Sequence, residues 1–227
     1  MSKLQAHAID ELKGVVKGGV VLPQDSSYDE VRAIWNAMID RRPAVIVQCK
    51  EADDVARALT FAGANALELS IRGAGHNIAG NAICDDGIMI DLSTMKNVRV
   101  DPDKRRAYVE PGATLGDIDA AAQAHALAAP VGINSTTGIA GLTLGGGFGW
   151  LTRQHGMSVD NLVSVEMITA DGNRVRASET ENSDLFWAVR GGGGNFGIVT
   201  QFEFKLHPVG PEILPAPYLP GLSLCRA

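Results

Sequence analysis

The sequence is short of the residues that staple a chain, cross a bilayer or gather charge. Its 227 residues include three cysteines, Cys49, Cys84 and Cys225. The number is odd, the spacings are wide and no Cys-x-x-Cys occurs, which argues against a disulfide framework and against a zinc site, so no metal is expected. No apolar run approaches the roughly 20 residues that span a membrane. The opening MSKLQAHAIDELKGVV lacks an apolar stretch between a basic end and a small-residue cleavage site. The expectation is a soluble, cytoplasmic protein without a membrane partner. Lys and Arg number 20 against 26 Asp and Glu, for a net charge of -6, and the basic residues are scattered, so no footprint for nucleic acid is visible. No Gly-Lys-Ser/Thr occurs, which excludes a Walker A loop. A small-molecule partner is what remains.

What is abundant is apolar residues, 45% of the chain, and glycine, 26 residues. The first is enough for a real core. The glycines concentrate in residues 73 to 80, 138 to 149 and 191 to 197. Glycine inside an element costs about 0.5–1 kcal/mol relative to alanine, so such clusters mark unusual dihedrals or close approach of backbone to a ligand. Three clusters suggest one long ligand touched several times.

Along the chain, YDEVRAIWNAMID (28 to 40) spaces Val31, Ile34, Trp35, Met38 and Ile39 on one helical face. AVIVQ (44 to 48) reads as a strand, 51 to 65 as an amphipathic helix, and LELSIRG (67 to 73) as a strand entering the first glycine turn. Short strands follow between 88 and 112, a helix over 114 to 126, a hairpin turn at Asp171-Gly172, a helix in SDLFWAVRG and an alternating strand in GIVTQFEFKLHP. The class is α+β. From Pro208 the chain carries five prolines in twenty residues and reads as a linker.

The turn RGAGHNIAG follows a strand, which invites a test against the dinucleotide fingerprint GxGxxG. Gly73 and Gly75 fit, but the third position is Ile78 and no helix follows before the next strand, so an NAD-type Rossmann site is rejected. The second cluster offers Ser135, Thr136 and Thr137 ahead of Gly138, Gly141 and Gly145 to Gly147, a surface of hydroxyl and backbone donors suited to a pyrophosphate beside an apolar ring. The third places four glycines before a strand.

Taken in order, RGAGHNIAGN (72 to 81), DLSTMKNVRVDPDKRRAYVEPGATLGDID (91 to 119), GLTLGGGFGWLTRQHGMSVDNLVSVEMITADG (141 to 172) and DLFWAVRGGGGNFGIVTQFEFKLHPV (184 to 209) resemble the FAD-binding, PCMH-type domain of the vanillyl-alcohol oxidase/p-cresol methylhydroxylase superfamily, in its berberine bridge enzyme-like branch. The resemblance implies a two-subdomain FAD-binding domain over 39 to 210, a helical lead-in over 1 to 38 and a Pro-rich tail over 211 to 227, ending before the family's substrate domain. It implies FAD as cofactor, with Arg72, Gly73, Ala74, Gly75 and Asn77 at the pyrophosphate turn and His76 joined covalently to the flavin 8-methyl carbon. Pro111, Gly112, Thr136, Thr137, Gly138, Gly141, Leu142 and Gly147 would line the cofactor cleft. Asn195, Gly197, Ile198 and Val199 would run along the adenosine and pyrophosphate. Ile139 falls where the family varies side-chain size beside the flavin face that meets oxygen. Asn134 stands where many members carry a second tethering cysteine, so a single attachment is implied.

The implied activity is an FAD-linked oxidoreductase that takes hydride from a small organic substrate and passes electrons to oxygen or another acceptor. The family's general base lies in the substrate domain, so no catalytic residue is assigned. A second reading is a non-catalytic or incomplete FAD-binding module, truncated or needing a partner chain, with a partner chain or a homo-oligomer as the possible assembly. Asp160 and Asn161 read as loop braces; His7, His125, His155 and His207 read as surface or packing residues.

Overall fold

The computed structural model describes residues 5–210; the tail assigned to 211 to 227 lies outside them. The first unit runs α1 (Ala6–Val15), β1 (Gly19–Val21), α2 (Tyr28–Arg32), β2 (Val45–Gln48), α3 (Ala52–Ala64), β3 (Leu69–Arg72) and β4 (Ile88–Asp91). Its sheet has the order β1-β2-β4-β3. The strands β2, β4 and β3 are parallel, and β1 joins antiparallel, tying the lead-in to the sheet. The unbroken apolar runs Val45-Ile46-Val47 and Ile88-Met89-Ile90 suit central parallel strands, whose two faces are both covered. Val45, Val47, Ile88 and Ile90 pack with Val55, Ala58 and Ala62 of α3, while Ile46 and Met89 pack on the other face with Tyr28. Because β3 is the edge strand, one side of it stays available to the next unit.

The helix expected over 28 to 40 stops at Arg32. Ala33 turns extended, with φ -62° and ψ 134°, and the following residues run across the first glycine turn. Trp35 N–H donates to the Gly75 carbonyl at 3.1 Å, and Asn36 Nδ2 donates to the Ile78 carbonyl at 2.8 Å. Ile34 and Ile39 are half-buried against the core, but Trp35 and Met38 are 59% and 91% exposed. The helical spacing of apolar residues was real; bonds to the glycine turn outcompete continuation of the helix.

The second unit comprises β5 (Val98–Asp101), β6 (Arg106–Val109), α4 (Leu115–Gln123), β7 (Leu127–Ala128), α5 (Ile139–Leu144), α6 (Thr152–His155), β8 (Leu162–Ile168), β9 (Arg174–Ser178), α7 (Ser183–Val189), β10 (Ile198–Lys205) and β11 (His207–Pro208). Its main sheet is antiparallel throughout, in the order β5-β6-β10-β8-β9. Central β10 alternates buried Phe202 and Phe204 with Gln201, Glu203 and Lys205, as a strand with one core face should. The β8–β9 hairpin turns at Asp171-Gly172, closed by Gly172 N–H to Thr169 O at 2.8 Å. A reciprocal cap between Thr114 and Asp117 starts α4. The small pair β11–β7 makes Pro208 part of the fold rather than the start of a linker. Ile168 of β8 and Ile198 of β10 belong to the first unit's core, so the two units share a packed seam.

Candidate functional site

A cleft of about 770 Å³ opens between the units, bounded by β3 on one side and the start of β10 on the other. All three glycine clusters reach it. From the first come Gly73, Ala74, Gly75, His76 and Asn77; from the second, Thr137, Gly138, Gly141, Leu142 and Gly145; from the third, Gly193, Gly194, Asn195 and Gly197, followed by Ile198 and Val199. Most of these residues are ones the sequence nominated. The side chains of β3 that also line it, Leu69, Ser70 and Ile71, were missed, as was Ala140. The half-exposed alternation of LELSIRG carried the signal for β3, but strand pairing was needed to make it an edge.

The clusters are fitted to one another. A Cβ on Gly138 would stand 2.8 Å from the Cβ of Ala74, closer than packed carbons approach, so the second cluster can lie against the first turn only without a side chain. Gly75 has φ +73°, a left-handed conformation that glycine adopts without penalty. The third cluster is tied to the second by Gly191 and Gly193 N–H groups that both donate to Leu144 O, at 3.1 and 2.9 Å.

The remaining nominated residues do not line the cleft. The Arg72 guanidinium hydrogen-bonds the Val31 carbonyl, lies 4.0 Å from buried Asp91 and backs onto Gly75. Pro111 presents its carbonyl to Gly73, and Gly112 packs on the Leu92 backbone. Thr136 bonds to Asn134 Oδ1 through N–H and Oγ1, at 3.1 and 2.9 Å, and shapes an exposed turn. Gly147 packs on Ser158. Ile139 is fully buried in the second core: the pitch of α5 sends Ile139 and Thr143 inward and Ala140 and Gly141 to the cleft.

Loop braces occupy the positions read as such. Asp160 accepts from Met157 N–H at 2.8 Å, and Asn161 Nδ2 donates to the carbonyls of His155 and Met157, both at 2.9 Å. His155 stacks on His207 at 3.9 Å between ring centroids, away from the cleft wall. Cys49 and Cys84 are free and buried, and burial raises both thiols above their ordinary range; Cys225 lies outside the described residues.

No Lys, Arg, Asp or Glu lines the cleft, and His76 is its single ionisable side chain among the described residues. The backbone N–H groups of Gly73, Ala74, Gly75, His76 and Asn77 have no acceptor among the described residues. Consecutive free N–H groups on a bend form an anion-binding concavity. The volume falls within the roughly 300–1,000 Å³ of small-molecule sites. A Cβ on Gly141 or Gly194 would meet no protein atom within 4 Å, so the bare positions leave room on the cleft side. A long ligand with an anionic middle and an apolar end fits these features, and a dinucleotide bearing a flat ring has that form.

The comparisons with known proteins agree. Residues 43–178 match the family described as FAD binding domain, and the chain belongs to it, within the vanillyl-alcohol oxidase/PCMH and berberine bridge enzyme-like FAD-linked oxidoreductases. Its cofactor is FAD. The chain is 39% identical to (R)-6-hydroxynicotine oxidase of Paenarthrobacter nicotinovorans over 88% of its own length and 43% of that protein's. It is 38% identical to an FAD-linked oxidoreductase of Aspergillus terreus, over 92% and 43%. Among solved structures, 6-hydroxy-D-nicotine oxidase of Arthrobacter nicotinovorans superposes with a TM-score of 0.84 at 39% identity, covering 85% of this chain and 43% of the other. Xylooligosaccharide oxidase of Myceliophthora thermophila superposes with 0.83 at 34%, covering 88% and 43%. The chain thus spans less than half the length of these relatives.

Proposed function

We propose that this chain is the FAD-binding part of an oxidoreductase that oxidises a small organic molecule, with the FAD attached through His76. FAD, when bound, supplies the redox chemistry, accepting hydride from the substrate and passing electrons to oxygen or another acceptor. The chain's own part is to hold the cofactor: the free N–H groups of residues 73 to 77 meet the pyrophosphate, Thr137 and Gly138 bring the second cluster against it, and β3 with Ile198 and Val199 provides apolar walls. The observation that carries this reading is the imidazole of His76 on the wall of a cleft otherwise lined, among the described residues, by backbone and uncharged side chains. A reactive group in a turn built of glycine and alanine is there to react with or retain what the turn binds. The relatives named for 6-hydroxynicotine and xylo-oligosaccharides support a substrate of small organic class.

The test is intact mass and visible absorbance of the denatured chain beside His76→Ala. The expected result is a yellow wild-type chain carrying the mass of one FAD, with neither in the variant. Flavin that is bound but released on denaturation removes the tether from the proposal. A chain that takes up no flavin overturns it.

A further inference from the structure

We infer that Trp35 is a positioning residue for His76: its indole fixes the plane of the imidazole at the cleft wall, so that the ring meets the flavin in one orientation. This rests on the proposed tether. The two rings stack with centroids 4.8 Å apart and planes 20° from parallel, the offset-stacked range that aromatic rings favour. The stack is held from both sides of the contact. Trp35 N–H bonds the carbonyl of Gly75, the residue before His76, and Asn36 Nδ2 bonds the Ile78 carbonyl, two residues after it. Ile34 sits under Gly75, where a Cβ would meet its Cγ2 at 3.6 Å. The segment after α2 is therefore a strap across the glycine turn, and Trp35 presses on the turn's reactive side chain.

Burial does not account for this tryptophan. It is 59% exposed, contributes to no core cluster and does not line the cleft. Among the described residues, the one aromatic contact of its indole is the stack on the His76 ring. Forming the tether breaks the imidazole N–H and one C–H of the 8-methyl group and joins nitrogen to carbon. Two electrons and two protons pass to the flavin, from which dioxygen removes them. The nitrogen must lie in line with the methyl carbon, and a histidine free to turn about χ1 and χ2 spends most of its time elsewhere.

The experiment adds FAD to the cofactor-free chain and follows the covalent mass with time in wild type, Trp35→Ala and Trp35→Phe. Non-covalent FAD affinity is measured in a His76→Ala background with and without Trp35→Ala, and the His76 ring protons are observed by NMR without cofactor. The expected results are tethering about 3- to 10-fold slower in Trp35→Ala, the factor carried by an aromatic stacking contact, and recovery of the rate in Trp35→Phe. Non-covalent affinity should be unchanged, and the His76 ring protons should lose their indole ring-current shift in the alanine variant. Equal time courses for wild type and Trp35→Ala overturn the inference and leave the tether intact. An equal loss of non-covalent affinity overturns it by showing that Trp35 shapes the whole turn. A wild type that binds FAD without ever gaining its mass overturns the inference together with the tether.

Discussion

Replacing Gly141 by alanine should make the cofactor-free chain more stable and its FAD affinity weaker, two effects of opposite sign from one methyl group. Gly141 is the third residue of α5, and alanine is favoured over glycine within a helix by about 0.8–1 kcal/mol. The added Cβ meets no protein atom within 4 Å, so no packing cost offsets that gain. A gain of about 1 kcal/mol raises the melting temperature of a chain this size by about 2–4 °C. Gly141 is also part of the cleft wall, where, under the proposed function, the same methyl would occupy space the cofactor needs. Crowding of a close-packed contact by one methyl costs about 1–3 kcal/mol, which is about 5- to 150-fold in Kd. Flavin fluorescence titration in a His76→Ala background gives the affinity without bond formation pulling the equilibrium, and thermal unfolding without FAD gives the stability. A variant that is stabilised but binds FAD as tightly as its parent would show that α5 does not face the cofactor. A destabilised one would show that the space beside Gly141 is not open.

Two further predictions concern how the fold is held. Asp54 is fully buried and accepts from the N–H groups of Lys17, Gly18 and Lys50 at 2.7, 3.0 and 3.0 Å. Asp54→Ala leaves three donors unmatched and should cost at least about 3 kcal/mol in urea unfolding; a loss below about 1 kcal/mol would mean water satisfies them. His207 is pushed down to about 4 by burial first, then by His155, Lys205 and Arg105, while its Nε2 bonds Asn161 Oδ1 at 2.7 Å. With the folded value below the unfolded one near 6.5, its contribution is present above pH 6.5 and is lost as the pH falls toward 4. Thermal unfolding from pH 7 to 4 should therefore fall more steeply in wild type than in His207→Gln, and parallel slopes would refute the assignment.

Much of the site was legible because glycine carries its meaning locally. The clusters at 73 to 80, 138 to 149 and 191 to 197 mark positions where a side chain would collide or fill the cleft, and all three reach it. The central strands were legible because Val45 to Val47 and Ile88 to Ile90 are apolar without a break. What the sequence did not disclose depends on partners distant in the chain. Trp35 has helical spacing with Val31 and Ile39, and its bond to Gly75 cannot be read from that spacing. Val20 reads as lead-in until β1 finds β2. The periodicity of α5 was short enough that Ile139 and Ala140 could not be assigned to core and cleft without the sheet beneath them.

The absence of charge from the cleft wall explains why its backbone must be so bare. A phosphate held by Lys or Arg can be reached by long side chains from a distance, and the backbone can stay out of the way. A phosphate held by N–H groups must touch the main chain, because each dipole acts only at hydrogen-bond range. Every Cβ between ligand and backbone then becomes an obstruction. The turn from Gly73 to Asn77 meets this condition with two glycines and one alanine, and keeps its cation, Arg72, behind the backbone, bonded to Val31 and facing Asp91. Placed there, the guanidinium backs the turn at Gly75 and stays off the cleft wall. The same geometry leaves His76 as the one ionisable side chain on the cleft wall among the described residues, so under the proposed tether its imidazole would find no lysine or carboxylate alongside it to divert or neutralise the contact. Under the proposed function, bareness and the lone histidine are thus two results of one choice, to bind an anion with backbone.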